Sequence, residues 1–394
     1  MIVLRKGERR CQSRLKEATY DIVVKNGLVI DPYQDIHEVM DLAISNGKIV
    51  DVRKGINESL AGKVIDASGL IVTPGIIDIH VHCCYNILNI GIDPESCCLE
   101  KGCTTVLDVG STGELNFRGF RKYVIERSRT RILALLNIES LGMIEYGSQG
   151  QKWPKLIMEY EELFINVENT VKVIEDNRDV ILGIKWAHHG LTGLRLAREA
   201  ADRAKCILMA ENHLEPETIK YLKKGDIVTH SFHGLKWMGN PYDGILNEDG
   251  NVKPEFYDAI KRGVIIDVGH GAASFSWKVA EKAFSQGVKP DTISTDLHVS
   301  SVKGPVYDMP TTMSKFLLLG MSLEEVIRAS TSKPAEVIGM LGEIGTLKPD
   351  ARADVTIFKL EEGKFQYTDC MKESRIGKQK LTPVKVIKDG RIII

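Results

Sequence analysis

Two histidines stand two positions apart in a largely apolar run, IIDIHVHCC, at residues 76–84. A buried strand usually fills such positions with valine or isoleucine. Because residues i and i+2 of a strand point to the same face, His80 and His82 project together. Two adjacent imidazoles can form a pair of metal ligands, although two core histidines satisfied by hydrogen bonds would have the same spacing. The pair predicts a metal site only if further ligands join it.

Polar side chains also close other apolar strands of the chain. His230 lies in DIVTHSFHG, Asp296 ends TISTD, and Lys185 lies near the end of VILGIKW. Buried charge is costly unless it is paired or bound to a metal, so packing alone does not account for these residues. Together with the histidine pair, they predict a metal centre.

Lys185 needs its own chemistry, because an ammonium group cannot bind a cation. Burial lowers the pKa of a lysine, and the neutral amine can react with carbon dioxide to give an anionic carbamate. The two carbamate oxygens could bridge two metal ions, which would make carbon dioxide a cofactor. The alternative is a lysine that pairs with a nearby acid.

Alternating strands and helices must position these residues. Amphipathic segments such as GLRLAREAADRAK, residues 193–205, separate several apolar strand candidates. The candidates lie near residues 76–82, 103–109, 131–138, 180–186, 206–213, 226–231, 263–268 and 291–296. This order predicts an α/β fold with a TIM-type (β/α)8 barrel, whose active sites form at the carboxyl ends of the strands. A doubly wound open sheet is the rival, but it would usually carry a G-x-G-x-x-G motif after its first strand, and the chain has none there.

The two ends of the chain have a different texture, with short strands and turns. Segments 19–70 and 343–394 contain Asn-Gly at 26–27 and 46–47 and Asp-Gly at 389–390, which are strong hairpin signals. Between them, segment 71–342 spans about 270 residues, close to the ~250 typical of the barrel. Residues 1–18 are charged, and we expect a flexible extension there.

Composition excludes several classes of protein. The 394 residues are 43% hydrophobic and 27% charged, and the formal net charge is −1, so no bulk field favours nucleic acid or an anionic membrane. The apolar runs are too short for a membrane span. The eight cysteines are too sparse for a disulfide scaffold, and a reducing cytoplasm fits them best. We expect a small-molecule substrate, and the sequence leaves a homo-oligomer open.

Several segments resemble the amidohydrolase superfamily. They include GLIVTPGIIDIHVH, GCTTVLDVGS, DTISTD, and EVIRASTSKPAEVIGM followed by GTLKPDARADVTIF, and the resemblance covers about residues 20–394. GDIVTHSFHG, GVIIDVGHGAASF and GPVYDMPTTMSKFL are similar to one branch, the amidohydrolase/deacetylase-like metallohydrolases related to dihydroorotases and D-aminoacylases. The resemblance implies a barrel flanked by a small β-sandwich made from both chain ends.

The resemblance also implies a binuclear site, usually of zinc. In it, His80 and His82 would hold one metal, and the Lys185 carbamate would bridge to the second. A histidine of the fifth strand and His230 would hold that second metal. Asp296 would touch the first metal and the attacking hydroxide.

The fifth strand departs from the family pattern, which has one histidine at its end. Here CILMAENHLEP offers Glu211 and His213, two positions apart. An ungapped alignment puts Glu211 at the ligand position, whereas a shift of two residues puts His213 there. Imidazole suits zinc, which favours His213. If Glu211 binds instead, its carboxylate competes with the Lys185 bridge, and the number of metals is open.

The leading hypothesis is a metal-dependent hydrolase of an amide or ester bond in a small molecule, such as an N-acyl amino acid. Two metals would supply hydroxide at neutral pH, and Asp296 would be the catalytic acid–base. His233 and His270 follow strands and are candidates for substrate binding, or loop histidines bonded to backbone. A cyclic-amide hydrolase of the dihydroorotase or hydantoinase type uses the same metals. A one-metal deaminase and a non-catalytic scaffold are further alternatives.

Overall fold

The computed structural model describes residues 19–144, 159–187, 190–211, 217–234 and 244–394. Its strands are β1 (Tyr20–Asp31), β2 (Ile36–Ser45), β3 (Lys48–Arg53), β4 (Ala61–Asp66), β5 (Ile71–Pro74), β6 (Ile76–Val81), β7 (Cys103–Val109), β8 (Arg131–Asn137), β9 (Ile181–Trp186), β10 (Ile207–Glu211), β11 (Ile227–Thr229), β12 (Ile265–Ile266), β13 (Val355–Thr368), β14 (Ser374–Lys388) and β15 (Arg391–Ile392). Its α-helices are α1 (Pro94–Cys97), α2 (Phe117–Tyr123), α3 (Val167–Asp176), α4 (Leu191–Ala204), α5 (Pro254–Arg262), α6 (Trp277–Ser285), α7 (Met309–Leu318), α8 (Leu323–Arg328) and α9 (Ser332–Val337). Within these ranges, no helix has the length and apolar content needed to cross a bilayer.

The predicted strands that end in polar residues belong to one curled parallel sheet. Strands β6 to β12 pair in parallel and in chain order. Past β12, Asp267 forms a parallel bridge with Thr292, and Leu297 bridges Val81 at the opposite edge of the sheet. One segment, residues 292–297, therefore touches both edges, at the position of the eighth predicted strand.

The apolar strands of this sheet are buried on both faces. In β6, Ile77 packs in a cluster with Leu107 of the neighbouring strand, whereas Ile76 packs in a second cluster with Val106. That second cluster also contains helical residues such as Leu194 of α4, so it is the layer between sheet and helices. Two-sided burial explains why these strands read as continuous apolar runs instead of alternating ones.

Helix α4 confirms the amphipathic segment predicted at residues 193–205. Its buried face is made mainly of alanines, which let the helix approach the sheet closely; they are Ala197, Ala200, Ala201 and Ala204. Charged residues occupy the other face, as expected for a helix at the surface of a domain.

Both ends of the chain meet in one sheet, which is eight-stranded in the described residues. Its order is β15-β14-β13-β5-β1-β2-β3, and β4 pairs with β1. The antiparallel pairing of β13 with β5 joins the C-terminal strands to the N-terminal ones. The two-layer β-sandwich expected from the resemblance stays a prediction.

Two of the three predicted hairpin turns are confirmed. Asn46–Gly47 connects β2 to β3, and Asp389–Gly390 connects β14 to β15. The turn predicted at Asn26–Gly27 is wrong, because these residues lie inside β1, where the pairing with β2 shifts register. Asn26 takes a left-handed conformation with φ of 59°, and the Asp41 carboxylate accepts its backbone N–H at 2.9 Å. A β-bulge held by a cross-strand carboxylate thus replaces the hairpin.

Candidate metal centre

His80 of β6 and His82, which directly follows β6, converge with the carboxylate of Asp296. His82 Nε2 lies 3.2 Å from Asp296 Oδ1, and His80 Nε2 lies 3.6 Å from the same oxygen. One ligand atom from each of the three side chains falls within 4.8 Å of the others, and all three residues are buried. Two imidazole nitrogens and a carboxylate oxygen are donors that divalent zinc accepts.

A second group of polar side chains continues from this cluster. Lys185 of β9 is fully buried, and its Nζ lies 3.4 Å from His80 Nε2 and 3.5 Å from Glu211 Oε1. The same Glu211 oxygen lies 3.4 Å from His230 Nε2. The structure thus brings residues from β6, β9 and β10, and from the segments after β11 and β12, to one end of the parallel sheet.

A hydroxyl group and a buried carboxylate orient the His80 ring. His80 Nδ1 lies 2.9 Å from Thr229 Oγ1, and that hydroxyl donates to Asp267 at 2.8 Å. Burial acts to raise the pKa of Asp267, but the nearby His80 and hydrogen bonds from the hydroxyls of Thr292 and Ser294 hold it below the ordinary value. Since Nδ1 is engaged on this side, Nε2 faces Asp296.

His82 is held in the same way. Its Nδ1 lies 3.0 Å from Ser111 Oγ, which donates to Asp108 at 2.8 Å. Asp108 also accepts the backbone N–H of Cys83 at 2.8 Å, and burial raises the pKa of its carboxyl. Partners of this kind fix which ring nitrogen faces a metal.

The protonation states in the cluster suit a cation. Burial, together with the neighbouring Lys185, lowers the pKa of His80 to about 3, so its imidazole is neutral. Burial opposes ionisation of Asp296, but His298, His80 and His82 hold its pKa well below the usual range. A neutral imidazole and an ionised carboxylate are the forms that bind metals.

The backbone around the cluster is specialised. His230 and Asp296 both adopt left-handed conformations, with φ of 58° and 48°. Gly271 lies directly against Asp296, and a Cβ built on this glycine would fall 2.2 Å from Asp296 Oδ2. Non-glycine residues in this region carry strain, which concentrates at functional sites.

The other predicted residues have different surroundings. His270 is fully buried, with Nε2 2.7 Å from Lys315 Nζ and Nδ1 3.0 Å from the Gly271 carbonyl oxygen. His233 is also buried, and a Cβ on Gly244 would fall 3.1 Å from its Nε2. His213 lies outside the described residues, so the fifth-strand ligand is represented here by Glu211 alone.

Sequence reasoning missed the residues that orient the two histidines. Asp108 and Asp267 each stand near the end of an apolar strand in an Asp-Val-Gly triplet, residues 108–110 and 267–269. An acid in a strand that is otherwise buried is the signal that could have found them. Ser111 and Thr229 have no comparable signal, because serine and threonine at strand ends are common.

Comparison with known proteins places the chain in a family. Residues 71–393 match the model of the amidohydrolase family, and the chain belongs to that family. It is a metal-dependent hydrolase related to dihydroorotases. Members of the superfamily have a TIM barrel, with which the curled parallel sheet agrees.

Curated relatives include proteins named deacetylases. The chain is 37% identical to Deacetylase Atu3266 of Agrobacterium fabrum over 316 residues, which cover 77% of this chain and 74% of that protein. It is 31% identical to a deacetylase of Enterococcus faecalis over 389 residues, covering 95% and 99%. A dihydroorotase of Geobacter metallireducens is 27% identical over 278 residues, covering 68% and 59%.

Solved structures show the same architecture over almost the whole chain. A crystal structure of an adenine deaminase has a TM-score of 0.83 at 30% identity and covers 95% of this chain and 99% of that one. A crystal structure of a dihydroorotase has a TM-score of 0.80 at 30% identity, covering 94% and 98%. The names of these similar proteins therefore indicate several different substrates.

Proposed function

We propose that this protein hydrolyses an amide or ester bond of a small acylated molecule, such as an N-acyl amino acid, an activity of the EC 3.5 type when the bond is an amide. The convergence of His80, His82 and Asp296 beside the Lys185–Glu211 pair is the observation that carries the proposal. The names of the deacetylase relatives support an acyl substrate.

The residues of the cluster would have separate roles in this hydrolysis. Bound in this cluster, two divalent ions, which we take to be zinc, would lower the pKa of a water towards neutrality and polarise the substrate carbonyl. His80 and His82 would present Nε2 to a metal on one side, and His230 would present Nε2 on the side of Glu211. Asp296 accepts the proton of the attacking water and returns it to the leaving nitrogen or oxygen.

Lys185 and Glu211 compete for the position between the two halves of the site. Nζ of Lys185 is sealed from solvent, and as an amine it would combine with carbon dioxide to form a carbamate N–C bond and release one proton. Glu211 already supplies a carboxylate between Lys185 and His230. We propose that the carbamate would be the bridging ligand if two metals bind, and that Glu211 competes with it for that position. His213 stays a predicted alternative.

A substrate panel with a metal count tests the proposal. Zinc-loaded protein is assayed with N-acetyl amino acids, acetyl esters, cyclic ureides including dihydroorotate, and adenine. We expect acetate release from the acyl compounds and about two zinc ions per chain. Turnover of cyclic ureides or adenine alone would contradict the proposed substrate class, and protein without bound metal would contradict the site.

A cyclic-amide hydrolase is the second candidate. The likeness to a dihydroorotase structure over 94% of the chain favours it. The adenine deaminase likeness, together with Glu211 in the site, keeps a one-metal deaminase as a third candidate, whose marker would be about one zinc per chain and ammonia release.

Several earlier expectations remain proposals. We infer a cytoplasmic location, which suits the free thiols of the described cysteines. We also infer a small-molecule substrate, which suits a buried site. His233 and His270 stay predictions as substrate contacts.

A further inference from the structure

A buried lysine outside the proposed metal centre ties together three segments at the same end of the sheet. Lys315 of α7 is fully buried. Its Nζ lies 2.7 Å from His270 Nε2 and donates to the carbonyl oxygens of Pro305 at 2.9 Å and Thr368 at 2.8 Å. An ammonium group has three protons and no acceptor, so these three acceptors use all of them.

Packing does not explain this lysine. Burial lowers the pKa of Lys315 to about 7, which expresses the cost of taking the ammonium out of water. A methionine would fill similar space without that cost. The Lys315 amino group also lies 5.8 Å from the centre of the Phe275 ring, on which His270 stacks at 4.6 Å. The hydrogen bonds of this amino group therefore stabilise a specific arrangement of loops.

The first of these segments leads directly to Asp296. His270 Nδ1 faces the Gly271 carbonyl oxygen at 3.0 Å, and the Gly271 N–H donates to Thr295 at 2.8 Å. Gly271 in turn lies so close to the Asp296 carboxylate that no side chain fits between them. A movement of His270 would therefore shift Gly271, against which the Asp296 carboxylate packs.

The second and third segments come from outside the parallel sheet. Pro305 lies in the loop before α7. Thr368 ends β13, and the tip of the β13–β14 hairpin docks beside it on the loop after β12. In that contact the Cys370 backbone N–H donates to the Phe275 carbonyl oxygen at 3.1 Å. The Asp369 carboxylate accepts the Trp277 backbone N–H at 2.9 Å. The sheet formed by the chain ends thereby contacts the loop that carries His270 and Gly271.

We propose that Lys315 is a positioning residue: it joins the loop after β12, the loop before α7 and the β13–β14 hairpin, and so holds Gly271 against Asp296. The inference rests on the proposed function of Asp296 as acid–base. Lys315 acts through His270, because its amino group bonds His270 and the carbonyl oxygens of Pro305 and Thr368.

The test compares Lys315→Met with Lys388→Met in the full-length, metal-loaded protein. Lys388 of β14 is the matched control. It is also a buried lysine, but it pairs with Asp354 and Asp389 and not with His270. For Lys315→Met we expect kcat to fall about tenfold or more, with KM and zinc content nearly unchanged, since a tenfold loss corresponds to ~1.4 kcal/mol of barrier. Lys388→Met should keep kcat within about twofold.

Amide hydrogen exchange supplies a readout that needs no substrate. In Lys315→Met, the Gly271 amide and those near Cys370 should exchange about tenfold faster, whereas Lys388→Met should leave them unchanged. Unchanged exchange in Lys315→Met overturns the inference. If exchange rises but no acyl compound is hydrolysed by the wild type, the proposed function fails while the link between the loops stands.

Two variants of His270 cover the case in which Lys315→Met does not fold. The amide oxygen of His270→Gln can accept from Lys315, whereas His270→Leu cannot. We expect the glutamine variant to keep about tenfold more kcat than the leucine variant. Equal kcat in the two variants, or an equal loss in Lys315→Met and Lys388→Met, would overturn the proposal.

Discussion

At the residue scale, the candidate site is built from pairs of oriented donors. His80 and His82 each use one ring nitrogen to bond a hydroxyl and keep the other for the centre of the site. Behind each hydroxyl stands a buried carboxylate, Asp267 or Asp108. A ring held in this way loses little freedom when it binds a cation, so the orientation is prepared before the metal arrives.

We predict that Thr229→Val weakens zinc binding by about 10- to 100-fold, because His80 loses its link to Asp267 while the side-chain volume is kept. Competition with a chromogenic chelator measures the affinity. Thr104→Val is the matched control, since the buried Thr104 hydroxyl has no hydrogen-bond partner in the described part of the chain. A Thr229→Val variant with the affinity of the control would show that the hydroxyl does not orient the ligand.

We predict that Asp296→Asn keeps bound metal but loses turnover by about 10²- to 10⁴-fold, because the amide cannot accept the proton of the attacking water. Zinc content and kcat are measured on the same preparation. An Asn variant that retains substantial activity would remove Asp296 from the acid–base role.

At the element scale, local sequence and cross-strand contacts compete. Asn46–Gly47 and Asn26–Gly27 have the same dipeptide, and both asparagines adopt positive φ. Only the first pair turns the chain, because β1 continues past Asn26 between β2 and β5. The Asp41 carboxylate that fixes the bulge lies 15 residues further on, so short-range sequence signals cannot distinguish the two cases.

We predict that Asp41→Asn destabilises the protein by about 1–3 kcal/mol at pH 7. Burial opposes the Asp41 charge, but Lys25 and the amides of Asn26 and Ile56 hold its pKa below the ordinary 3.8. A lowered folded-state pKa gives stability that is present above pH 3.8 and lost as the pH falls through the folded value.

Thermal melts at pH 7, 5 and 3 measure the difference. The gap between wild type and Asp41→Asn should be full at pH 7 and 5 and smaller at pH 3. Asp35→Asn, at an exposed position in the turn between β1 and β2, is the control. A gap that does not narrow in acid would show that the Asp41 charge is not what stabilises the bulge.

At the scale of the whole molecule, the strands could be predicted from the sequence more fully than the contacts between them. The apolar runs ending in His80, Lys185 and His230 could be predicted because two-sided burial leaves a continuous pattern. Their convergence followed from the parallel order of the strands. The partners Ser111 and Thr229, and the reach of the β13–β14 hairpin to His270, could not be predicted, since these contacts join residues far apart in sequence.

The metal centre links β6 to the segment that closes the curled sheet, so metal should stabilise the whole fold. We predict that free zinc at about 100 times its Kd adds ~2.7 kcal/mol to the free energy of unfolding of chelator-stripped protein. Differential scanning calorimetry of the stripped protein with and without zinc measures the shift, which we expect to be roughly 3 °C for a chain of 394 residues.

Histidine variants test whether this stabilisation comes from the proposed site. The double variant His80→Asn/His82→Asn should lose the zinc-dependent shift, whereas His37→Asn should keep it, because His37 is 45% exposed and faces Glu324 on the surface. A shift of the same size in the double variant would mean that zinc binds elsewhere on the chain. Because His80 and His82 lie at the end of β6 and Asp296 lies in the segment that bridges both edges of the parallel sheet, loss of the shift in that variant alone would show that the metal stabilises the closure of the sheet.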